Sequence, residues 1–167
     1  MIEVREEQPE DREAIREVNI RAFAQGHEAD IVDDLRRNCN DLLSLVARMQ
    51  NQVVGHILFS PVSIESEART IQGMALAPMA VLPEFQQRGV GSELVRTGIA
   101  ELKRRLCPFV IVLGHAGYYP RFGFEPAGVY GIQSEWEVPD DAFMLLVLNE
   151  SEMRGTSGVA RYRPEFA

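Results

Sequence analysis

Met79-Ala80-Val81-Leu82-Pro83-Glu84-Phe85-Gln86-Gln87-Arg88-Gly89-Val90-Gly91-Ser92 is the stretch on which the reading turns. It reads as the end of an apolar strand, a tight glycine-containing turn and the first turn of a helix. The strand begins at Thr70, and Leu94, Val95, Ile99, Leu102 and Leu106 give the helix one apolar stripe at helical spacing. Such a turn aims several backbone N–H groups and the positive end of a helix dipole at one point. Gly89 and Gly91 let an anion approach without meeting a Cβ, and Arg88 adds a cation, so Gln87 to Ser92 form a candidate nest for a phosphate or pyrophosphate. A dinucleotide fingerprint would need Gly or Ala where Leu94 stands, and an acid after Phe109–Gly114. A P-loop would need Gly-Lys-Ser/Thr to close the turn, and that is absent.

The rest of the chain brackets this element. Pro9, Glu10, Asp11 and Glu13 open a helix whose buried face is Ala14, Ile15, Val18, Ala22 and Phe23; a second helix over 28–38 buries Ile31, Val32 and Leu35. Residues 43–48 and 52–60 form a hairpin, with Pro61 ending or bulging its second arm, or residues 62–64 continuing it. Pro78 cannot donate to a ladder, so the 70–81 strand is expected to bulge or splay there. A helix over 91–106 leads to a buried strand at 109–114, a strand follows at 142–148, and the tail from Gly155 is a strand or an arm. A chain of 167 residues, 46% hydrophobic, suits one domain over 1–167. Its apolar runs are too short for a bilayer span, and its N-terminus is polar. Cys39 and Cys107 lack metal spacing and read as free thiols in a reducing cytoplasm. The net charge of −8 argues against nucleic-acid binding and mildly favours a cationic or amine substrate.

Gln86-x-x-Gly89-x-Gly91 between a strand and a helix resembles the signature of the GNAT superfamily of acyl-CoA-dependent N-acetyltransferases. The element order, β-α-α-β-β-β-α-β-α-β-β, is similar too, so the resemblance spans nearly the whole chain. It implies an α/β (α+β) GNAT fold: a central mixed, mostly antiparallel sheet, splayed between strands 4 and 5 and flanked by helices. It also implies acetyl-CoA as co-substrate, with the backbone of Met79, Ala80 and Val81 facing the pantetheine arm as a strand would, and Gln87, Arg88, Gly89, Val90, Gly91 and Ser92 holding the pyrophosphate. Tyr119 through Phe124 fits the family's Tyr-x-x-x-Gly-Phe pattern, whose tyrosine protonates the departing thiolate. The run Tyr118-Tyr119-Pro120-Arg121-Phe122-Gly123-Phe124 is similar to a bacterial subgroup of uncharacterised acetyltransferases. The resemblance implies direct attack by an amine in a ternary complex, no metal, and room for a homodimer through the C-terminal strands.

The base is left open. Families of this fold often use a carboxylate on the fourth strand, and Met74-Ala75-Leu76-Ala77 offers none. His115, Glu28, His27 and Glu84 are the candidates, with a water chain as the alternative; His56 reads as structural. Two rival readings keep the fold but drop the chemistry: a non-catalytic acyl-CoA sensor and a protein-interaction module. The acceptor's identity is not in the sequence.

Overall fold

Gln50 and Asn51, both at positive φ (53° and 61°), make the two-residue turn between β2 (Leu43–Met49) and β3 (Gln52–Glu65). That backbone matches the twist of an antiparallel hairpin. The computed structural model describes residues 1–167. Its contacts divide the chain into two compact units: Met1–Phe59 with Ala77–Ala100, and Ser60–Leu76 with Glu101–Ala167. The division runs through β3, through β4 (Thr70–Val81) and through α3 (Val90–Arg104). The strands pair mostly antiparallel, in a mixed α/β fold.

In the first unit, β1 (Glu3–Glu6) pairs antiparallel with β2, and β2 with β3. The helices α1 (Arg12–Phe23) and α2 (His27–Asn38) bury Ile15 and Val18, and Ile31, Val32 and Leu35, respectively. The apolar spacing read from the sequence faces the core at Ile15, Val18, Ile31, Val32 and Leu35, whereas Phe23, expected on the buried face of α1, is 37% exposed at that helix's end. Between them, Ala24 takes the left-handed conformation (φ 57°) that ends α1. Val90, Leu94 and Val95 bury the inner side of α3.

In the second unit, Met74–Leu76 of β4 run parallel to Val110–Val112 of β5 (Phe109–Leu113), and this ladder extends no further. The Ala77–Pro78 peptide is cis, in a strand that continues to Val81. The sheet continues through β8 (Phe143–Val147), antiparallel to β5, to β6 (Glu125–Pro126). The C-terminal strand β9 (Gly158–Arg161) pairs with Ser63–Glu65 of β3 on one side and with β7 (Ile132–Ser134) on the other. Phe109, Ile111, Ile132, Phe143 and Leu145 form the centre of this unit's core.

Of the readings open at Pro61, the continuation over 62–64 is the one seen: β3 runs on to Glu65, because an exchange of strand partners gives residues 63–65 a ladder with β9. Two further expectations need correcting, at Leu106 and after β5. Leu106 is not part of the apolar stripe: α3 ends at Arg104, and Leu106 is 79% exposed at φ 62°. There Leu106 N–H donates to Lys103 C=O and Cys107 N–H to Leu102 C=O, a helix stop that fits a left-handed residue. No full helix follows β5; 3-10 turns at Tyr119–Phe122 and Ala127–Tyr130 take its place. The strands β6 and β7 and the one-turn helix α4 (Glu150–Met153) were too short to read from periodicity.

Candidate functional site

The turn that opens α3 is built from backbone conformation. Gln87 (φ 62°) and Gly89 (φ 87°) are both left-handed, separated by one residue. Alternation of this kind points successive N–H groups into one concavity. A Cβ added at Gly89 would meet nothing within 4 Å, so the glycine answers to its φ and not to crowding. The first amide of the turn to reach a backbone carbonyl in the helical pattern is that of Glu93, which donates to Gly89 C=O at 3.1 Å. The amides of Val90 and Gly91 precede it, at the dipole's positive end, where the helix cannot supply acceptors. Gln87, Arg88 and Gly89 are exposed, and the Arg88 guanidinium lies 5.3 Å from the Phe85 ring centroid.

The end of β4 is tied to this turn. Gln86 Nε2 donates to Val81 C=O at 3.0 Å, and Leu82 N–H donates to Val54 C=O of β3 at 2.8 Å. Backbone groups alternate sides along a strand, so Leu82 and Ala80 turn theirs toward β3. A Cβ built on Gly55 of β3 would lie 3.3 Å from Ala80 O, which agrees. Of the three residues expected to face a ligand with their backbone, Met79 and Val81 carry the outward groups. Ala80 does not, and Val81 C=O already has a partner.

Tyr119, in the second unit, is 7% exposed. Tyr118, Phe124 and Phe122 surround it, with ring centroids 5.1, 5.6 and 6.4 Å away. Its backbone is held because Tyr118 and Tyr119 N–H groups both donate to His115 C=O. Its ring is held from below by Gly114, where a Cβ would come within 2.4 Å of Cε2. Burial, with a smaller contribution from Tyr118, pushes the Tyr119 hydroxyl well above the ordinary tyrosine value. It is therefore a neutral donor throughout the neutral range. Tyr118 packs and also anchors Arg121, whose Nε donates to Tyr118 C=O at 2.9 Å.

The candidate bases separate on their partners. Glu84 accepts two bonds from Arg21, at 2.8 and 2.9 Å. Its own backbone N–H and then Arg21 hold its carboxyl below the usual range, which makes it a poor base. Glu28 accepts from Gln25 Nε2 at 3.0 Å; His27 is exposed at the start of α2. His115 is exposed, and its carbonyl closes the turn before Tyr119.

Sequence reading missed a buried polar chain in the first unit. Asn19 Nδ2 faces His56 Nδ1 at 3.2 Å, His56 Nε2 faces Ser44 Oγ at 2.9 Å, and Ser44 donates to Glu7 at 2.7 Å. Arg36 closes it with two bonds to Glu7, at 2.8 and 2.9 Å. Because an amide nitrogen only donates, His56 Nδ1 accepts and Nε2 carries the proton. Burial pushes the fully enclosed His56 down to about 4, Glu7 opposing and Arg36 assisting, so it is neutral and structural.

The chain matches the Acetyltransferase (GNAT) domain family over residues 3–127. It is 46% identical over 134 residues to the uncharacterized N-acetyltransferase YjhQ of Escherichia coli K12, covering 78% of this chain and 74% of that one. It is 32% identical over 164 residues to the uncharacterized N-acetyltransferase YhbS of the same strain, covering 98% and 97%. The crystal structure of Escherichia coli YhbS in complex with CoA superposes with a TM-score of 0.92, at 31% identity, over 99% of this chain and 91% of that one. A GNAT acetyltransferase from Brucella melitensis in complex with acetyl-CoA gives a TM-score of 0.79, at 33% identity, over 100% and 99%. Motif, strand order and these relatives agree: the chain belongs to the GNAT acetyltransferase family.

Proposed function

We propose that residues 1–167 act as one acyltransferase domain that binds acetyl-CoA and passes its acetyl group directly to an amine. The observation that carries this reading is the left-handed alternation at Gln87 and Gly89 before α3, a backbone cradle for linked phosphates. The amides of Gln87, Arg88, Gly89, Val90, Gly91 and Ser92 hold the pyrophosphate, with the Arg88 guanidinium beside them. Met79 pairs with the pantetheine arm, and Val81 N–H is the donor for the developing oxyanion. The amine nitrogen attacks the thioester carbon, the C–S bond breaks, and the thiolate takes a proton from Tyr119. The proton lost by the amine returns to the tyrosine through solvent, so charge balances. Tyr119 keeps its proton at neutral pH, as a donor must before the thiolate forms.

Cys39 and Cys107 are free thiols, which suits a reducing cytoplasm. A homodimer through the C-terminal strands would use the outer edge of β7, since both edges of β9 are taken. The test is thermal unfolding with acetyl-CoA, where ligand at 100 times Kd adds about 2.7 kcal/mol. A screen of amines for release of free CoA follows. No stabilisation by acetyl-CoA would end the cofactor assignment; stabilisation without release from any amine would end the enzyme assignment.

A further inference from the structure

The second unit holds a cavity of about 480 Å³ in the segment between β6 and β8, and nothing in the acetyl-transfer chemistry above uses it. Its walls are apolar where Ile132, Val138 and Phe143 contribute, and Trp136 gives it an aromatic face. Glu137 and Asp140 line it as well, both exposed. Neither carboxylate is engaged by an arginine or lysine. Neighbouring Glu135, by contrast, is committed: it accepts from Tyr162 N–H at 2.8 Å and faces Arg161 at 3.7 Å.

The segment is built to hold this arrangement. Ser134 Oγ accepts from Trp136 N–H at 3.0 Å, and the Trp136 ring lies 4.7 Å from that of Tyr162, which packs on Phe166 at 5.7 Å. Pro139 C=O accepts from Ala142 N–H, and Ala142 C=O accepts from Gly114 N–H. Gly114 is the residue under the Tyr119 ring, and Phe143 pairs with Leu113 at the end of β5. The cavity's inner wall and Tyr119 thus hang from the same end of the β5–β8 ladder.

An apolar cleft with two uncommitted carboxylates and a tryptophan face complements an ammonium carried on an aliphatic stem. Anions are excluded by the same charges. An amine that attacks a thioester must first lose its proton, so it cannot also be the cation that Glu137 and Asp140 attract. We infer that this cavity holds the second, non-reacting cation of the acceptor, which makes the acceptor an aliphatic di- or polyamine. The inference rests on the acetyl-transfer reading for its role and on the cavity alone for its ligand.

Trp136 is the chain's single tryptophan, so its fluorescence reports on this cavity directly. The probe is hexamethonium, a bis-quaternary hexane that cannot be acetylated. It should produce a saturable change in Trp136 emission that weakens with added salt, and the Glu137→Gln/Asp140→Asn double variant should bind it roughly tenfold more weakly. In the CoA-release assay, spermidine should show a KM raised by about the same factor in the double variant, with 1-aminobutane unchanged. The absence of a saturable emission change, or equal affinity in the double variant, overturns the cation site. An equal loss with spermidine and 1-aminobutane overturns the distinction between the two cations. Hexamethonium binding without CoA release from any amine keeps the cation site and overturns its role in acceptor recognition. The unfolding midpoint of the variant, expected to match the parent's, excludes a folding artefact.

Discussion

At the turn before α3 the side chains of Gln87 and Arg88 are exposed and the backbone does the shaping, with two left-handed residues in three. At the corner after β5 the shaping is done by packing: Tyr119 is 7% exposed, ringed by aromatics, with only Gly114 leaving room beneath it. In the proposed reading the first region holds an anion with N–H groups that any residue possesses, so few side chains matter to it. The second presents one hydroxyl, and many neighbours matter. Substitutions at the turn should therefore change binding while sparing the fold. Substitutions at the corner should change turnover and stability together.

The sharpest test of that contrast is Gly89→Glu. It puts a carboxylate in the anion's path and a side chain at φ 87°, and we expect CoA affinity to fall by at least about a hundredfold in calorimetry. Gly89→Ala, with open space around its Cβ, should cost only the left-handed penalty of roughly 1–2 kcal/mol and keep partial affinity. Equal loss in both would mean that conformation, not charge and bulk, controls the turn. Tyr119→Phe comes next: kcat should drop about a hundredfold with CoA affinity held, and a kcat unchanged under rate-limiting chemistry would remove the hydroxyl from the mechanism. Gly114→Ala should imitate that drop while also lowering the unfolding free energy by about 1–3 kcal/mol, because the Tyr119 ring must move. A silent Gly114→Ala would break the claim that packing sets the tyrosine.

The two regions should also differ in pH response. His56, in the same unit as the turn, has a folded pKa of about 4 against an ordinary 6.5. The unfolded chain binds the proton more readily between those values, so the stabilisation is complete above pH 6.5 and lost as pH falls toward 4. About 2 kcal/mol should disappear by pH 5, measured by chemical denaturation, and His56→Asn should flatten that slope. Tyr119, raised by burial, should give kcat no tyrosine limb up to about pH 10. The smallest effect belongs to Arg21→Ala. The Arg21–Glu84 pair is about half exposed, so we expect at most about a twofold change in CoA affinity and no resolvable shift in Tm.

The motifs of the candidate site are legible in the sequence because their signals are local. Gln86-x-x-Gly89-x-Gly91 and Tyr119-x-x-x-Gly123-Phe124 are contiguous, and each announces its geometry through glycine. The helices and long strands were legible for the same reason, since Ile15, Val18, Ile31, Val32 and Leu35 carry their period within one or two turns. Glu84, by contrast, looked like a free acid until Arg21, 63 residues away in sequence, was seen to hold it. The facing of Ala80 toward β3 depends on strand register, and no single strand states its own register.

What the sequence alone determined is whatever a short stretch of chain can dictate by backbone permissiveness and by the period of its apolar residues: the turn before α3, the helices, the hairpin and the kinship they imply. The tertiary structure alone decided which groups are spoken for. It set Gly114 under Tyr119, led the chain from Asn19 through His56 to Glu7 and Arg36, and left Glu137 and Asp140 uncommitted beside Trp136. The reason is that a hydrogen bond or a ring contact is a property of two residues, and folding brings together pairs that the linear order keeps far apart.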